Sequence, residues 1–226
     1  TRKESSAASD VYKRQPLRHQ KHYFKTETKT DTDTVIIEGP LNSETLKSYT
    51  FDNNLNAFRR PSEQFQALLE IADLPEGRII VSQIDKHIVG YIILLHPDPL
   101  ERWSDGNHEF IMELGAIEVA HQHRSLGLAG KMLELSVRDN FVENYIIITT
   151  EYYWHWDLKN NGLDVYEYKN LMIRLMQRAG FEVFQTNDPE ITGHPANTLM
   201  ARIGKNITDK EMQQFDEIRF KNRFLI

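Results

Sequence analysis

The sequence predicts one mixed α/β (α+β) domain, with a central, mostly antiparallel sheet flanked by helices. Three observations carry this expectation. Hydrophobic periodicity alternates between strand and helix repeats in the order β–α–α–β–β–β–α–β–α–β–β–α, which mixes hairpins with crossovers in one sheet. The 226 residues suffice for one sizeable core. No internal repeat or second hydrophobic unit interrupts residues 22–226, while residues 1–21 are polar, aperiodic and expected to be a tail or sequence foreign to the fold.

The elements follow from local chemistry. Phe24 to Glu38 alternates loosely and predicts a first strand, closed by Gly39-Pro40. Ser43 to Tyr49 has helical spacing, and Asn53 to Phe58 is a polar connector. Pro61 then opens a helix through Phe65, Leu68, Leu69 and Ile71. Arg78 to Val81 and Ile88 to Leu95 predict two strands joined by a hairpin-length turn. Leu100 to Phe110 is charged and predicts a surface loop near the active cleft. A strand over 112–120 leads through a short polar turn into a helix over 127–139. Tyr145 to Glu151 is β-branched and predicts a central strand. Asp164 and Glu167 form a capping pair, and the helix behind them is expected to bury Tyr168, Met172, Leu175 and Ala179 before Gly180. The last strands cover 181–184 and 198–203, with 188–195 as loop. Thr208 and Glu211 cap the final helix.

Composition narrows the class. Charged residues make up 27% of the chain and the net charge is -6, divided into +5 over residues 1–30 and -11 over the rest. An acidic body argues against general nucleic-acid binding. No apolar run approaches a membrane span. The absence of Cys rules out disulfides, thiolate metal sites and a thiol nucleophile, and suits a reducing cytoplasm.

The chemistry concentrates in Glu113 to Val137. A strand, a turn and a helix meet at Arg124-Ser125-Leu126-Gly127-Leu128-Ala129-Gly130. Successive backbone N–H groups there can cradle an anion, Gly127 lets the backbone approach it, and Arg124 can add a charge-assisted contact. A phosphate-bearing cofactor at Leu126 to Gly130 is one reading. A plain strand–loop–helix junction with a solvent-facing Arg is the other. Neither the Rossmann nor the P-loop glycine pattern is present.

The segment Val119 to Ala129 resembles the cofactor motif Gln/Arg-x-x-Gly-x-Gly/Ala of the Gcn5-related N-acetyltransferase superfamily. Two positions depart from it: His121 stands where Pro is usual and Ser125 where Gly is usual. The resemblance implies the acyl-CoA N-acyltransferase fold over 22–226 and an acetyl-CoA pyrophosphate held by Val119, Arg124, Ser125, Leu126, Gly127, Leu128, Ala129 and Gly130. The segments PDPLERW (97–103) and TEYYWHWD (150–157) are similar to the acetoin-utilisation branch of that superfamily in Bacillus-like bacteria. That similarity implies a protein lysine acetyltransferase whose partner is an AMP-forming acetyl-CoA synthetase, switched off by acetylation.

Acyl transfer to an amine needs a neutral nucleophile, so a carboxylate must take the lysine proton. Glu113 and Glu118 both lie on the strand before the glycine turn. A regular strand puts them on opposite faces, and a bulge would change that. Glu118 stands nearer the cofactor end and is favoured as base. A structural or solvent-facing role is the competing expectation for each. The superfamily's usual acid, a Tyr four residues before Gly-Phe, is Met176 here. Tyr152, Tyr153, His155, Tyr166 and Tyr168 are neighbourhood substitutes. Tyr152, Tyr153, Trp154, His155 and Trp156 are expected to line the substrate path, with Trp154 and Trp156 beside the lysine stem. No His pattern has metal-ligand spacing, so no metal is expected. A non-catalytic acyl-CoA-binding regulatory module and a small-molecule amine acetyltransferase remain the alternatives. The oligomeric state is not legible.

Overall fold

A computed structural model describes residues 17–30 and 33–221, so residues 1–16 of the expected tail lie outside the described residues. The sheet begins with a hairpin, where a single first strand was expected. Strands β1 (Phe24–Lys29) and β2 (Thr34–Gly39) pair antiparallel, with Phe24 opposite Gly39. The break falls at Thr30, whose backbone N–H donates to the Asp33 carbonyl. Helix α1 (Ser43–Leu46) is capped by Asn42 and lasts one turn, shorter than its helical spacing suggests. The chain leaves it for the short β3 (Thr50–Phe51), which joins β5 in parallel. Helix α2 (Pro61–Ala72) starts on Pro61 as expected.

Strands β4 (Arg78–Ile84) and β5 (His87–Leu95) form the next hairpin. Asp85 and Lys86 form its two-residue turn with φ of 48° and 63°. Neither is glycine, although this left-handed conformation disfavours a Cβ by roughly 1–2 kcal/mol per residue. Replacing Asp85-Lys86 with Asn-Gly is therefore expected to stabilise the fold by about 1 kcal/mol, a rise in Tm of roughly 2–4 °C that scanning calorimetry would register.

Strand β6 (Ile111–Val119) is followed by a 3₁₀ stretch, His121–Leu126, and helix α3 (Leu128–Ser136). Then come β7 (Ile146–Glu151), the single turn α4 (Leu158–Asn161) and α5 (Val165–Gln177), whose Asp164–Glu167 capping box forms as expected. Strand β8 (Glu182–Phe184) precedes α6 (Pro189–Thr192), a helical turn inside the segment expected to be loop. Its cause is local: the Asp188 carboxylate accepts from the Glu190 and Ile191 N–H groups, and Pro189 occupies the first helical position. Strand β9 (Thr198–Ile203) and helix α7 (Asp209–Arg219) complete the chain, with Thr208 and Glu211 forming the second capping box.

The strand order is β1-β2-β4-β5-β6-β7-β9-β8, and β6/β7 is the parallel pair along this path. The sheet is thus mixed and mostly antiparallel, as expected. Helices cover both faces, so β5 is buried almost end to end. Leu128, Met132, Leu133 and Leu135 of α3 and Met176 of α5 pack on one face with Val89, Ile92 and Ile147. Leu46 of α1 and Leu68 and Ala72 of α2 pack on the other with Tyr91 and Ile93. Trp103 and Phe215 build a third cluster against Ile146 and Ile148.

Residues 17–21, placed in the tail from sequence, are bound to the body. The buried Arg78 guanidinium pairs with Asp139 at 2.9 Å and donates to the Gln20 carbonyl. Burial pushes the Asp139 carboxyl up. Hydrogen bonds from the His22 ring, the Phe141 and His22 backbone N–H groups and Arg78 outweigh it, holding the group at about 2. Lys21 Nζ donates to the Ala72 and Leu74 carbonyls at 3.2 and 2.6 Å, which ties this arm to the end of α2. Among the described residues no helix is long and apolar enough to cross a membrane.

Candidate active site

The site is made by two irregularities of β6. The first is a bulge. Leu94 of β5 faces Leu114 while Ile93 faces Ala116, which leaves Gly115 as an extra residue. Glu113 and Glu118 consequently oppose Leu95 and Tyr91, four residues apart on β5, and so share the sheet face toward α1 and α2. The second is a splay. Strands β6 and β7 pair only from Ile111/Ile146 to Glu113/Ile148, although β6 continues to Val119 and β7 to Glu151. Beyond Glu113 they part, and the edge of β6 is left without a strand partner on that side.

The gap is the floor of a cleft of 480 Å³. Leu114 to Val119 form one wall and Thr149 to Tyr152 the other, with Gly127, Ala129 and Gly130 at one end. Gly127 has φ +66° and caps α3 without a side chain, and among the described residues the first N–H groups of α3 have no side-chain acceptor. A Cβ built on Gly127 meets no atom within 4 Å. A Cβ on Gly130 would come within 2.6 Å of the Arg178 guanidinium, so glycine there lets Arg178 lie across the first turn of α3, held by Glu134 at 2.7 Å. Arg124 lines the same end, pairing with Asp157 at 2.8 Å and donating from Nε to the Val119 carbonyl at 3.2 Å.

Of the expected cofactor residues, Val119, Arg124, Gly127, Ala129 and Gly130 line the cleft. The side chain of Leu128 is wholly buried in the core, Leu126 packs against that core, and Ser125 is exposed. These three can offer a ligand only their backbone.

The expected aromatic path divides. Tyr152, His155 and Trp156 line the cleft. Tyr153 instead stacks against His194 with centroids 4.1 Å apart, and Trp154 lies on Tyr152 at 4.7 Å with half its surface in solvent. Trp156 stacks on Tyr168 at 5.1 Å and donates its indole N–H to Glu151 at 3.3 Å. Burial raises the Glu151 carboxyl, and Trp156 and Thr149 only partly offset it. Glu151 went unremarked in the sequence because it closes an ordinary β-branched strand.

Tyr168, Met172 and Leu175 were expected in the core. All three are only half-buried and line the cleft with Leu171 and Arg178, while Met172 and Leu175 also pack against the core, where Ala179 is buried as expected. Met176, at the superfamily's usual acid position, is fully buried in the core and has no access to a ligand.

A second pocket, 630 Å³, adjoins the first. Phe58, Gly115 and Ala116 line both. Glu113 lies in this second pocket with Asp98, Glu101, Arg59 and His96. Burial, then the charges of Glu101 and Asp98, push its carboxyl up to about 7. Among the described residues Glu113 has no hydrogen-bond or ion-pair partner. Glu118 lines the first cleft and is engaged at both oxygens, accepting from the Ala57 backbone N–H at 2.8 Å and the Tyr91 hydroxyl at 2.7 Å. A larger groove of 1090 Å³ lies between residues 17–20 and the start of α7, away from the glycine turn.

A mixed sheet splayed at its parallel pair, with a bulge at the splay and a glycine-started helix across it, defines an acyl-CoA-dependent N-acyltransferase. The chain belongs to the acetyltransferase (GNAT) family, whose pattern matches residues 44–161, and it is an acetyl-CoA-dependent acetyltransferase. It is 50% identical over 209 residues to the acetoin utilization protein AcuA of Bacillus subtilis and, to the same degree, to that of Bacillus licheniformis, covering 92% of this chain and all of each relative. The crystal structure of an acetoin utilization protein from Exiguobacterium sibiricum superposes with a TM-score of 0.88 at 48% identity, covering 91% of this chain and 98% of the other.

Proposed function

We propose that this enzyme acetylates a lysine side chain of a protein, with an AMP-forming acetyl-CoA synthetase as the target, and that Glu113 is the general base. The observation that carries the reading is the pair of adjoining pockets meeting at Gly115. One is apolar and ends at bare helix N–H groups. The other is lined by Asp98, Glu101 and Glu113. The first suits pantetheine and pyrophosphate. Its unpaired β6 edge offers backbone groups to the pantetheine amides, as a sheet edge does to an added strand. The second suits the ammonium group of a lysine.

In this arrangement the lysine gives one proton to Glu113, and its nitrogen attacks the thioester carbonyl carbon. The C–N bond forms as the C–S bond breaks, and the second proton of the nitrogen passes to the departing sulfur, so coenzyme A leaves as the thiol. A base near pH 7 is matched to that transfer. Glu118 acts as a positioning residue: by holding Ala57 it seats the 52–58 connector, and with it Phe58, between the two pockets.

The test is mass spectrometry of a purified AMP-forming acetyl-CoA synthetase incubated with the enzyme and acetyl-CoA. One acetyl group on one lysine, with parallel loss of synthetase activity, is expected. An unmodified synthetase together with turnover of polyamines would overturn the assignment.

A further inference from the structure

Three residues far apart in sequence converge beside the acceptor pocket: His19 of the arm, Glu76 of the turn after α2, and His96 at the end of β5. Each presents a ligand-capable atom, and these atoms lie within 4.8 Å of one another. We propose that they form a divalent metal site, taking Zn²⁺, which clamps the N-terminal arm to the sheet at the edge of the acceptor pocket.

The donor set fits. Two imidazoles and a carboxylate are borderline N/O ligands suited to zinc, with a fourth position left for water. Tetrahedral bonds of about 2.05 Å would set the donors about 3.3 Å apart, so the three need only close by an ångström or so.

The outer contacts orient the rings as a metal requires. His96 Nδ1 lies 2.9 Å from the Ile111 carbonyl oxygen. A carbonyl only accepts, so Nδ1 carries the proton, and in the neutral ring Nε2 is the free lone pair. His19 Nδ1 lies 2.6 Å from the Tyr145 hydroxyl. With Nδ1–H donating to that oxygen, Nε2 of His19 is likewise free. The rings meet edge to face with centroids 5.4 Å apart. Of the cations close by, Arg78 is neutralised by Asp139, and Lys21 donates to the Ala72 and Leu74 carbonyls.

Placement gives the site a role. One ion would join the arm to the adjoining ends of the β4–β5 hairpin, adding to the Arg78–Gln20 bond and the Lys21 contacts on α2. Glu76 and His96 line the same pocket as Glu113, so the ion would wall the acceptor side and leave the acetyl-CoA cleft untouched.

The experiment uses the full, tag-free chain stripped with a chelator. Titration calorimetry with Zn²⁺ is expected to give one site per chain, with a raised Tm. Co²⁺ is expected to give the visible absorption of a four-coordinate ion. Glu76→Gln and His96→Ala should each weaken Zn²⁺ binding more than about 100-fold, and Tyr145→Phe by about 10-fold or more, with acetyl-CoA affinity unchanged. Absence of one-to-one binding at micromolar Zn²⁺ overturns the proposal. So does wild-type affinity in both Glu76→Gln and His96→Ala, which would place the ion elsewhere.

Discussion

Glu113→Gln is expected to lower kcat/KM for the protein substrate by about 10²–10⁴-fold while leaving acetyl-CoA affinity intact. Gln keeps the size and polarity of the side chain and removes only its ability to take a proton. The wild-type pH profile supplies an independent check. The free carboxyl sits at about 7, and a base must be deprotonated. Log kcat/KM should therefore fall with unit slope as pH drops below about 7, and the Gln variant should lose that limb. The same shift has a stability consequence of opposite sign. A folded pKa raised from 4.5 to about 7 means that the native state binds the proton more tightly than the unfolded chain. That contribution is present below the unfolded pKa and is lost as pH rises through 7, a cost of roughly 3 kcal/mol at alkaline pH. Glu113→Gln should therefore be more stable than wild type at pH 8 and nearly equal at pH 4. A residue that costs the fold stability where the enzyme works is better explained by chemistry than by packing. Glu118→Gln separates the two carboxylates. It keeps one acceptor for Ala57 or Tyr91, so it is expected to lose stability and part of its activity but to retain the acidic limb. A limb lost in Glu118→Gln and kept in Glu113→Gln would exchange the two roles.

How much of this was legible depended on whether the signal was local. The capping boxes at Asp164 and Thr208, the Pro61 helix start and the glycine turn before α3 are set by residues within four positions, and all appear in the structure. The mixed sheet follows from the same local patterns, although the β1–β2 hairpin read as one strand and the short β3 gave no signal. The common face of Glu113 and Glu118 was not readable. It rests on one unpaired residue, Gly115, and a bulge is a property of two strands' register rather than of one strand's sequence. The splay of β6 from β7 is hidden for the same reason. Helix α5 misled in a more informative way. Tyr168, Met172 and Leu175 have the spacing of a core face because they do face an apolar space, the cleft proposed to take acetyl-CoA. Periodicity reports an apolar neighbour without saying whether it is protein or ligand. The one-turn α6 carried its signal plainly in Asp188-Pro189, and that signal was overridden by the run of Pro and Gly around it. The binding of residues 17–21 depends on Arg78 and Asp139, some sixty residues apart, and a polar aperiodic segment announces no such partner.

Gly127→Trp is expected to abolish acetyl-CoA binding, weakening it at least about 100-fold, while the protein remains folded. The two halves of that statement rest on separate observations. Folding survives because a Cβ at Gly127 meets no atom within 4 Å, so the indole displaces nothing in the core. The cost is backbone strain at φ +66°, roughly 1–2 kcal/mol for a residue with a Cβ. Binding fails because Gly127 sits where the bare N–H groups of α3 meet the cleft, and a bulky side chain there shields them from pyrophosphate. Gly127→Ala divides strain from obstruction. It carries nearly the same backbone cost but little bulk, so its affinity should stay within about 10-fold of wild type. Calorimetric titration with acetyl-CoA, alongside Tm for each variant, reads both effects. Full affinity in the Trp variant would move the pyrophosphate away from α3. The remaining cations that line the cleft beside α3 are Arg124 and Arg178, already paired with Asp157 and Glu134. A pyrophosphate held by those side chains alone would have to compete with two carboxylates, which is why the unpaired helix N–H groups are the stronger anchor.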